Sequence, residues 1–237
     1  LSNEHRHGWG IGYYRGGEPV LTKGTDPAHA DPRFEATARE LTSDCVVAHV
    51  RRRSVGGLAL EDCHPFGFGR LLFAHNGTVQ DFEAVRARVE AAIAPQFEGE
   101  LRGSTDSERC FLLFLGHLDE LGALQQASIE EIALALARTV EQVGALPSPD
   151  GAGHLLTFLV SDGDRLVGVR RGEKELWIST VPGATGDGTL ERFVIASEPL
   201  DPGEAWEPVG DDEVIGIDGA MRLRRWKLDE LLGRGRG

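Results

Sequence analysis

Cysteine, long apolar runs and positive charge are all scarce in this chain of 237 residues. Its cysteines, Cys45, Cys63 and Cys110, are three in number and show no CxxC spacing, so they indicate neither a disulfide framework nor a zinc site, and a cytoplasmic protein is favoured. No apolar stretch approaches the roughly 18 residues that a membrane helix needs, and the start shows no signal-peptide pattern. The formal net charge of −13 argues against binding to nucleic acid or to an anionic membrane surface.

A strong nucleophile is also missing near the start of the chain. The sequence opens with Leu1-Ser2-Asn3, without an initiator methionine, and the first cysteine is Cys45. We therefore expect the natural N-terminus to lie upstream of Leu1.

The periodicity of the chain predicts strands at both ends and helices between them. Strands are predicted at 9–14, 19–23, 45–50, 71–75, 154–161, 166–170, 176–180, 193–197, 214–217 and 221–226. Helices are predicted at 34–41, 82–93, 105–121, 128–143 and 228–232, and the third and fourth start at the capping-box patterns Thr105-x-x-Glu108 and Ser128-x-x-Glu131. This order favours an α+β protein with antiparallel sheets and helices grouped outside them, and we expect one domain over residues 1–237.

Arg51 follows an apolar strand and begins the run Arg51-Arg52-Arg53. Taken alone, this run is typical of a solvated basic turn. The functional alternative is a carboxylate site, because a guanidinium group can hold a carboxylate through two parallel hydrogen bonds.

The pair Asn76-Gly77 follows the apolar strand 71–75. A tight turn is the simpler interpretation. The alternative is an oxyanion hole, in which the Asn76 side-chain amide and the Gly77 N–H both point at a developing negative oxygen. Glycine suits this role because it lets the backbone come close to the substrate.

Asp106 lies in the first turn of a predicted helix, where the helix dipole favours a carboxylate in any case. It can serve as a counter-charge for a substrate ammonium group. His49, His64 and His75 match no trusted metal-ligand spacing, so structural histidines are favoured and no metal site is predicted.

Five segments occur in the order seen in class II glutamine amidotransferases, which are N-terminal nucleophile hydrolases. They are His7-Gly8-Trp9-Gly10-Ile11-Gly12, His49-Val50-Arg51, Cys63-His64-Pro65-Phe66, Phe73-Ala74-His75-Asn76-Gly77 and Thr105-Asp106-Ser107-Glu108. In the second half, the segment 196–200 followed by Trp206 resembles the small stand-alone bacterial members. The resemblance therefore covers nearly the whole chain, and it implies a four-layer αββα sandwich of two antiparallel sheets flanked by helices.

The resemblance also implies roles for four residues. Arg51 would hold the α-carboxylate of glutamine and Asp106 its α-ammonium group. Asn76 and Gly77 would form the oxyanion hole. The reaction implied is cleavage of a γ-glutamyl amide through a cysteinyl thioester, which releases glutamate and either ammonia or an amine and needs no metal or organic cofactor.

The family's nucleophile is an N-terminal cysteine, and we expect it on a strand that precedes Leu1. Cys45, Cys63 and Cys110 cannot replace it, because none carries a free α-amine beside its thiol. A non-catalytic glutamine- or glutamate-binding module is the alternative function that the missing cysteine suggests.

The substrate expected is glutamine or a larger γ-glutamyl conjugate. For the larger substrate, the loop 182–188 is the expected place for space beyond the amide. An ammonia-accepting partner protein and a homodimer are further possibilities that the resemblance leaves open.

Overall fold

The computed structural model describes residues 5–233. The strands are β1 Trp9–Arg15, β2 Glu18–Gly24, β3 Val46–Val50, β4 Phe66–Phe68, β5 Leu71–Thr78, β6 Leu155–Ser161, β7 Leu166–Arg170, β8 Trp177–Pro182, β9 Leu190–Ala196, β10 Glu207–Pro208, β11 Glu213–Ile217 and β12 Leu223–Lys227. The α-helices are α1 Pro32–Glu40, α2 Phe82–Ala91, α3 Asp106–Glu120, α4 Ile129–Gly144 and α5 Leu228–Leu231. No helix in this described part of the chain is long and apolar enough to cross a bilayer.

Two antiparallel sheets form the middle of the molecule. One has the order β2-β1-β3 and the other the order β12-β11-β7-β6-β5-β4. Tyr14 and Val47 of the first sheet pack against Leu72 and Ala74 of the second, which places the sheets face to face. A third, smaller sheet, β10-β8-β9, packs against β11 through Ile178 and Ile215.

Helices cover the outer faces of the two large sheets. The helix α1 lies over β1, where Phe34 packs on Trp9. Helices α2, α3 and α4 lie over the six-stranded sheet and form the main core with it. The helix α4 packs on the sheet because it has an apolar face, where Ile132, Leu136 and Val140 recur at helical spacing and are fully buried. The four-layer αββα sandwich predicted from the sequence is therefore confirmed.

The end of β5 differs from the prediction, and two short strands are additional to it. The strand β5 does not end at His75 but continues through Asn76 and Gly77 to Thr78, because these residues pair with β6. The interpretation of Asn76-Gly77 as a tight turn is therefore wrong. The short strands β4 and β10 were not predicted, since three and two residues are too few to show an alternating pattern.

The two capping-box predictions had different outcomes. At α4 the box is complete, with Ser128 and Glu131 each accepting a backbone hydrogen bond from the other residue. At α3 the Thr105 hydroxyl caps the N–H of Glu108, but the Glu108 carboxylate turns away and accepts from the N–H groups of Arg102 and Gly103. The reciprocal half of that box is therefore wrong, because the preceding loop competes for the carboxylate.

Candidate active site

The four residues predicted to form the site line a single cavity. This cavity has a volume of about 360 Å³, within the range typical of small-molecule pockets, and Arg51, Asn76, Gly77 and Asp106 all contribute to its wall. The residues come from the end of β3, the end of β5 and the start of α3, so the cavity lies where both sheets and one helix meet.

Arg51 is not part of a solvated turn, since its residue surface is only 3% exposed. Its guanidinium group donates to the carbonyl oxygens of Val55 at 2.9 Å and Gly57 at 2.7 Å. A guanidinium group has five N–H donors, so these two bonds leave donors for a further acceptor. The side chain therefore both orders the loop that follows β3 and supplies a fixed cation to the cavity.

Asp62 holds the same loop from the other side. It is 1% exposed, and it accepts from the N–H of Gly57 at 2.7 Å and from the N–H of Ser104 at 2.6 Å. Ser104 directly precedes the N-cap of α3. Asp62 thus joins the loop that positions Arg51 to the segment that positions Asp106, although neither contact was predicted from the sequence.

The backbone of Gly77 points out of the β5–β6 ladder. Its partner across the ladder, Leu156, exchanges both backbone hydrogen bonds with Arg171 on the other side of β6. Gly77 is therefore at a non-hydrogen-bonded position, with its N–H directed away from β6. On that side β4 pairs only with residues 71–73 of β5, so the N–H of Gly77 lies beyond the end of β4, at the cavity wall.

Asp106 is the first residue of α3 and is 3% exposed. One carboxylate oxygen accepts from the N–H of Val79 at 2.7 Å, directly after β5, and the other accepts from the N–H of Ser107 at 2.9 Å. These bonds fix the carboxylate relative to Asn76-Gly77. Each carboxylate oxygen keeps further acceptor capacity for a substrate ammonium group.

His75 directly precedes Asn76 and Gly77 in β5. Its Nε2 lies 2.9 Å from the carbonyl oxygen of Leu155, and its Nδ1 lies 2.9 Å from the Ser107 hydroxyl. Because a carbonyl can only accept, the Nε2 carries the proton and the Nδ1 accepts from Ser107. Burial lowers the pKa of His75, while the nearby Asp106 charge opposes this shift, and the ring links β5 to α3 as a structural histidine.

The rings of half-buried His49 and buried His64 lie against each other in the cavity wall, with centroids 4.3 Å apart. Burial lowers the pKa of His49 to about 3 and also lowers that of His64 well below its usual range. Both rings are therefore neutral at pH 7. The positive charge of the cavity comes from Arg51 and from the exposed Arg52, Arg53 and Lys174, which also line it.

None of the three cysteines lines the cavity. Burial raises the pKa of each of their thiols. A raised pKa disfavours the thiolate, which is the nucleophilic form. Cys45, Cys63 and Cys110 are therefore structural, and the predicted nucleophile, upstream of Leu1, lies outside the described residues.

Asp62 and Lys174 were not predicted from the sequence to belong to the site. The loop 182–188, where space for a larger substrate was expected, does not contribute to the described wall of the cavity. Lys174 does, because the end of β7 lies next to the start of β6. No sequence signal near Lys174 indicates this position, since it depends on strand pairing across the sheet.

Known proteins with similar sequences show the family to which this chain belongs. Residues 1–182 match the family described as "Glutamine amidotransferases class-II". The chain is 30% identical over 259 residues to the "Probable glutamine amidotransferase DUG3" of Saccharomyces cerevisiae, covering 94% of this chain and 72% of that protein. It is 27% identical over 211 residues to the "Gamma-glutamyl-hercynylcysteine sulfoxide hydrolase" of Mycobacterium tuberculosis, covering 89% of this chain and 74% of that protein.

Solved structures agree with these matches. A glutamine aminotransferase class-II domain protein from Silicibacter pomeroyi superposes with a TM-score of 0.71 at 28% identity, covering 92% of this chain and 90% of that one. The glutamine phosphoribosylpyrophosphate amidotransferase of B. subtilis shares the fold, with a TM-score of 0.66 at 16% identity, and the match covers 96% of this chain and 44% of that one.

The sandwich of two sheets between helical layers is thus the fold of the N-terminal nucleophile hydrolases. The chain belongs to the class II glutamine amidotransferases and is an enzyme of the amidohydrolase and amidotransferase type.

Proposed function

We propose that this enzyme cleaves the γ-amide of glutamine or of a γ-glutamyl conjugate through a cysteinyl thioester. The observation that carries the proposal is the meeting of Arg51, Asn76, Gly77 and Asp106 in one cavity. A cation, an anion and an outward-facing N–H are what the α-carboxylate, the α-ammonium group and the reacting carbonyl of a γ-glutamyl group require.

In the first step, the cysteine thiol adds to the γ-carbonyl carbon and transfers its proton to the cysteine's own α-amine. The carbonyl oxygen becomes an oxyanion, which the N–H of Gly77 and the Asn76 side-chain amide stabilise. The C–N bond then breaks, the α-amine returns the proton to the leaving nitrogen, and ammonia or an amine departs. Water adds to the thioester in the same way, which releases glutamate and regenerates the thiol.

The roles of the two charged residues follow from their fixed geometry. Arg51 is held by two carbonyl oxygens and Asp106 by two N–H groups, so neither side chain has to be ordered when the substrate binds. A preordered site loses less conformational entropy on binding, which supports recognition of a small zwitterion.

The substitution Asp106→Asn in the full-length protein tests this assignment. It removes the negative charge but keeps the size of the side chain, and a charge-assisted contact is worth about 1.5–3 kcal/mol. We therefore expect kcat/KM for glutamate release from glutamine to fall by about 10- to 100-fold. The measurement is a coupled assay of glutamate formed from glutamine.

Asp31→Asn is the matched control. Asp31 is also buried and also lies at a helix N-terminus, that of α1, but it is outside the described cavity wall, so turnover of the folded protein should stay at the wild-type level. Equal kcat/KM in Asp106→Asn and wild type would refute the role of Asp106. Glutamine binding by the full-length protein without any glutamate release would favour the non-catalytic binding module instead.

A further inference from the structure

We infer, on the basis of the proposed function, that the preferred substrates are γ-glutamyl conjugates whose amine part carries a negative charge. The basis is an excess of cations in the cavity wall. The described lining contains a single acid, Asp106, and the cations Arg51, Arg52, Arg53 and Lys174. The exposed cations Arg52, Arg53 and Lys174 define what we call the mouth of the cavity. The whole chain carries a formal charge of −13, so this local excess runs against the overall composition.

Glutamine alone does not account for these cations. Its α-carboxylate is matched by Arg51 and its α-ammonium group by Asp106, which leaves Arg52, Arg53 and Lys174 without a counterpart on the substrate. These three side chains are exposed, and none of them lies within 4.0 Å of a carboxylate oxygen of the side chains that the structure describes. Most other arginines do form such pairs, for example Arg109 with Glu90 and Arg171 with Asp212.

The unpaired cations lie near the reactive end of the cavity. Lys174 follows Arg171, whose backbone pairs with Leu156 directly opposite Gly77. Arg52 and Arg53 follow β3 of the other sheet, on the loop that Arg51 orders. The cations therefore come from both sheets, next to the residue that faces the scissile amide. These exposed cations are the partners that we assign to a negative group on the leaving amine, whereas the buried Arg51 and Asp106 are assigned to the glutamyl end.

A pair of substrates that differ in one charge tests the inference. γ-Glutamylglycine has a carboxylate on its amine part, and γ-glutamylglycinamide has a neutral amide at the same position. We expect the full-length wild-type enzyme to show the higher kcat/KM on γ-glutamylglycine. The preference should weaken as ionic strength rises from about 0.01 M to 1 M, because exposed charges are screened over a few ångströms at high salt.

Substitutions at the mouth should remove this preference selectively. Lys174→Gln and Arg52→Gln should each lower kcat/KM on γ-glutamylglycine by about two- to five-fold, which is the size of an exposed charge interaction. Turnover of γ-glutamylglycinamide and of glutamine should change less, so the ratio of kcat/KM on γ-glutamylglycine to kcat/KM on γ-glutamylglycinamide should fall. Arg88→Gln is the matched control, since Arg88 is an exposed residue of α2 outside the cavity wall, and it should leave turnover of all three substrates unchanged.

The possible outcomes separate this inference from the proposed function. Glutamate release with the same ratio of the two kcat/KM values in wild type, Lys174→Gln and Arg52→Gln would overturn the inference and leave the proposed function standing. A wild-type preference for the neutral substrate would overturn it as well. If full-length protein released no glutamate from any of the three substrates, the proposed function itself would fail.

Discussion

Replacing Gly77 by alanine should damage both the fold and the reaction, because no space exists for a methyl group. A Cβ at this position would lie 1.9 Å from the carbonyl oxygen of Leu155 and 2.6 Å from Nε2 of His75. Both atoms belong to one hydrogen bond, in which His75 donates to Leu155. The new methyl group would thus push apart the two groups that hold β5, β6 and α3 together.

The size of the effect follows from these distances. Cβ contacts under 3.0 Å are essentially not found in proteins, so β5 and β6 would have to separate locally by at least about 1 Å. Overpacking of this kind costs about 1–3 kcal/mol. Loss of the buried His75 hydrogen bond adds about 1–3 kcal/mol. We expect the free energy of unfolding to fall by about 2–6 kcal/mol. We also expect kcat to fall by about 100-fold or more, because the N–H of Gly77 is displaced.

Urea unfolding and glutamate release measure the two effects on full-length protein. Gly116→Ala is the control, since Gly116 lies inside α3 and a Cβ there would meet only Ala94, at 3.6 Å. Gly116→Ala should raise the free energy of unfolding by roughly 0.5–1 kcal/mol, because alanine is the better helix former. The reasoning is refuted if Gly77→Ala unfolds at the wild-type urea concentration with wild-type kcat, or if the control is the more destabilised variant.

Two further predictions concern Asp62 and His49. Asp62→Asn places an amide N–H₂ group against the backbone N–H donors of Gly57 and Ser104. KM for glutamine should therefore rise by about ten-fold, with a smaller change in kcat. An unchanged KM would contradict the positioning role of Asp62. Burial lowers the pKa of His49 from 6.5 to about 3, so the unfolded chain binds its proton first as the pH falls. The contribution of His49 to the free energy of unfolding should therefore be complete above pH 6.5 and decline by about 1 kcal/mol per pH unit below it. Urea unfolding between pH 4 and 7 should show a shallower decline for His49→Phe, and equal slopes would count against this assignment.

Local patterns predicted the elements that depend on near neighbours in the chain. The helix α4 has its complete capping box at Ser128 and a helical apolar face, and both signals lie within a few residues of each other. The strand β7 was predicted with the bounds that it has, 166–170. Such elements are predictable because their hydrogen bonds or apolar contacts recur at fixed short spacings.

Partners outside the local motif decided the features that were predicted wrongly. The sequence Asn-Gly is a strong turn signal, yet pairing with β6 keeps Asn76 and Gly77 in an extended strand. Glu108 matches the capping-box pattern, yet the N–H groups of the preceding loop take its carboxylate. In each case a partner outside the local motif determined the conformation.

The amino-acid sequence by itself determined the four-layer fold, the family and the four residues that meet in the cavity. Only the tertiary structure decided that the N–H of Gly77 faces out of its ladder, that Asp62 joins residues 57 and 104, and that Lys174 lies at the same mouth as Arg52. The physical reason is the separation along the chain of the groups that each feature depends on. A motif specifies groups a few residues apart. The charge around the cavity is instead set by residues that follow strands more than a hundred residues apart, in two different sheets, and only the packing of these sheets brings them together.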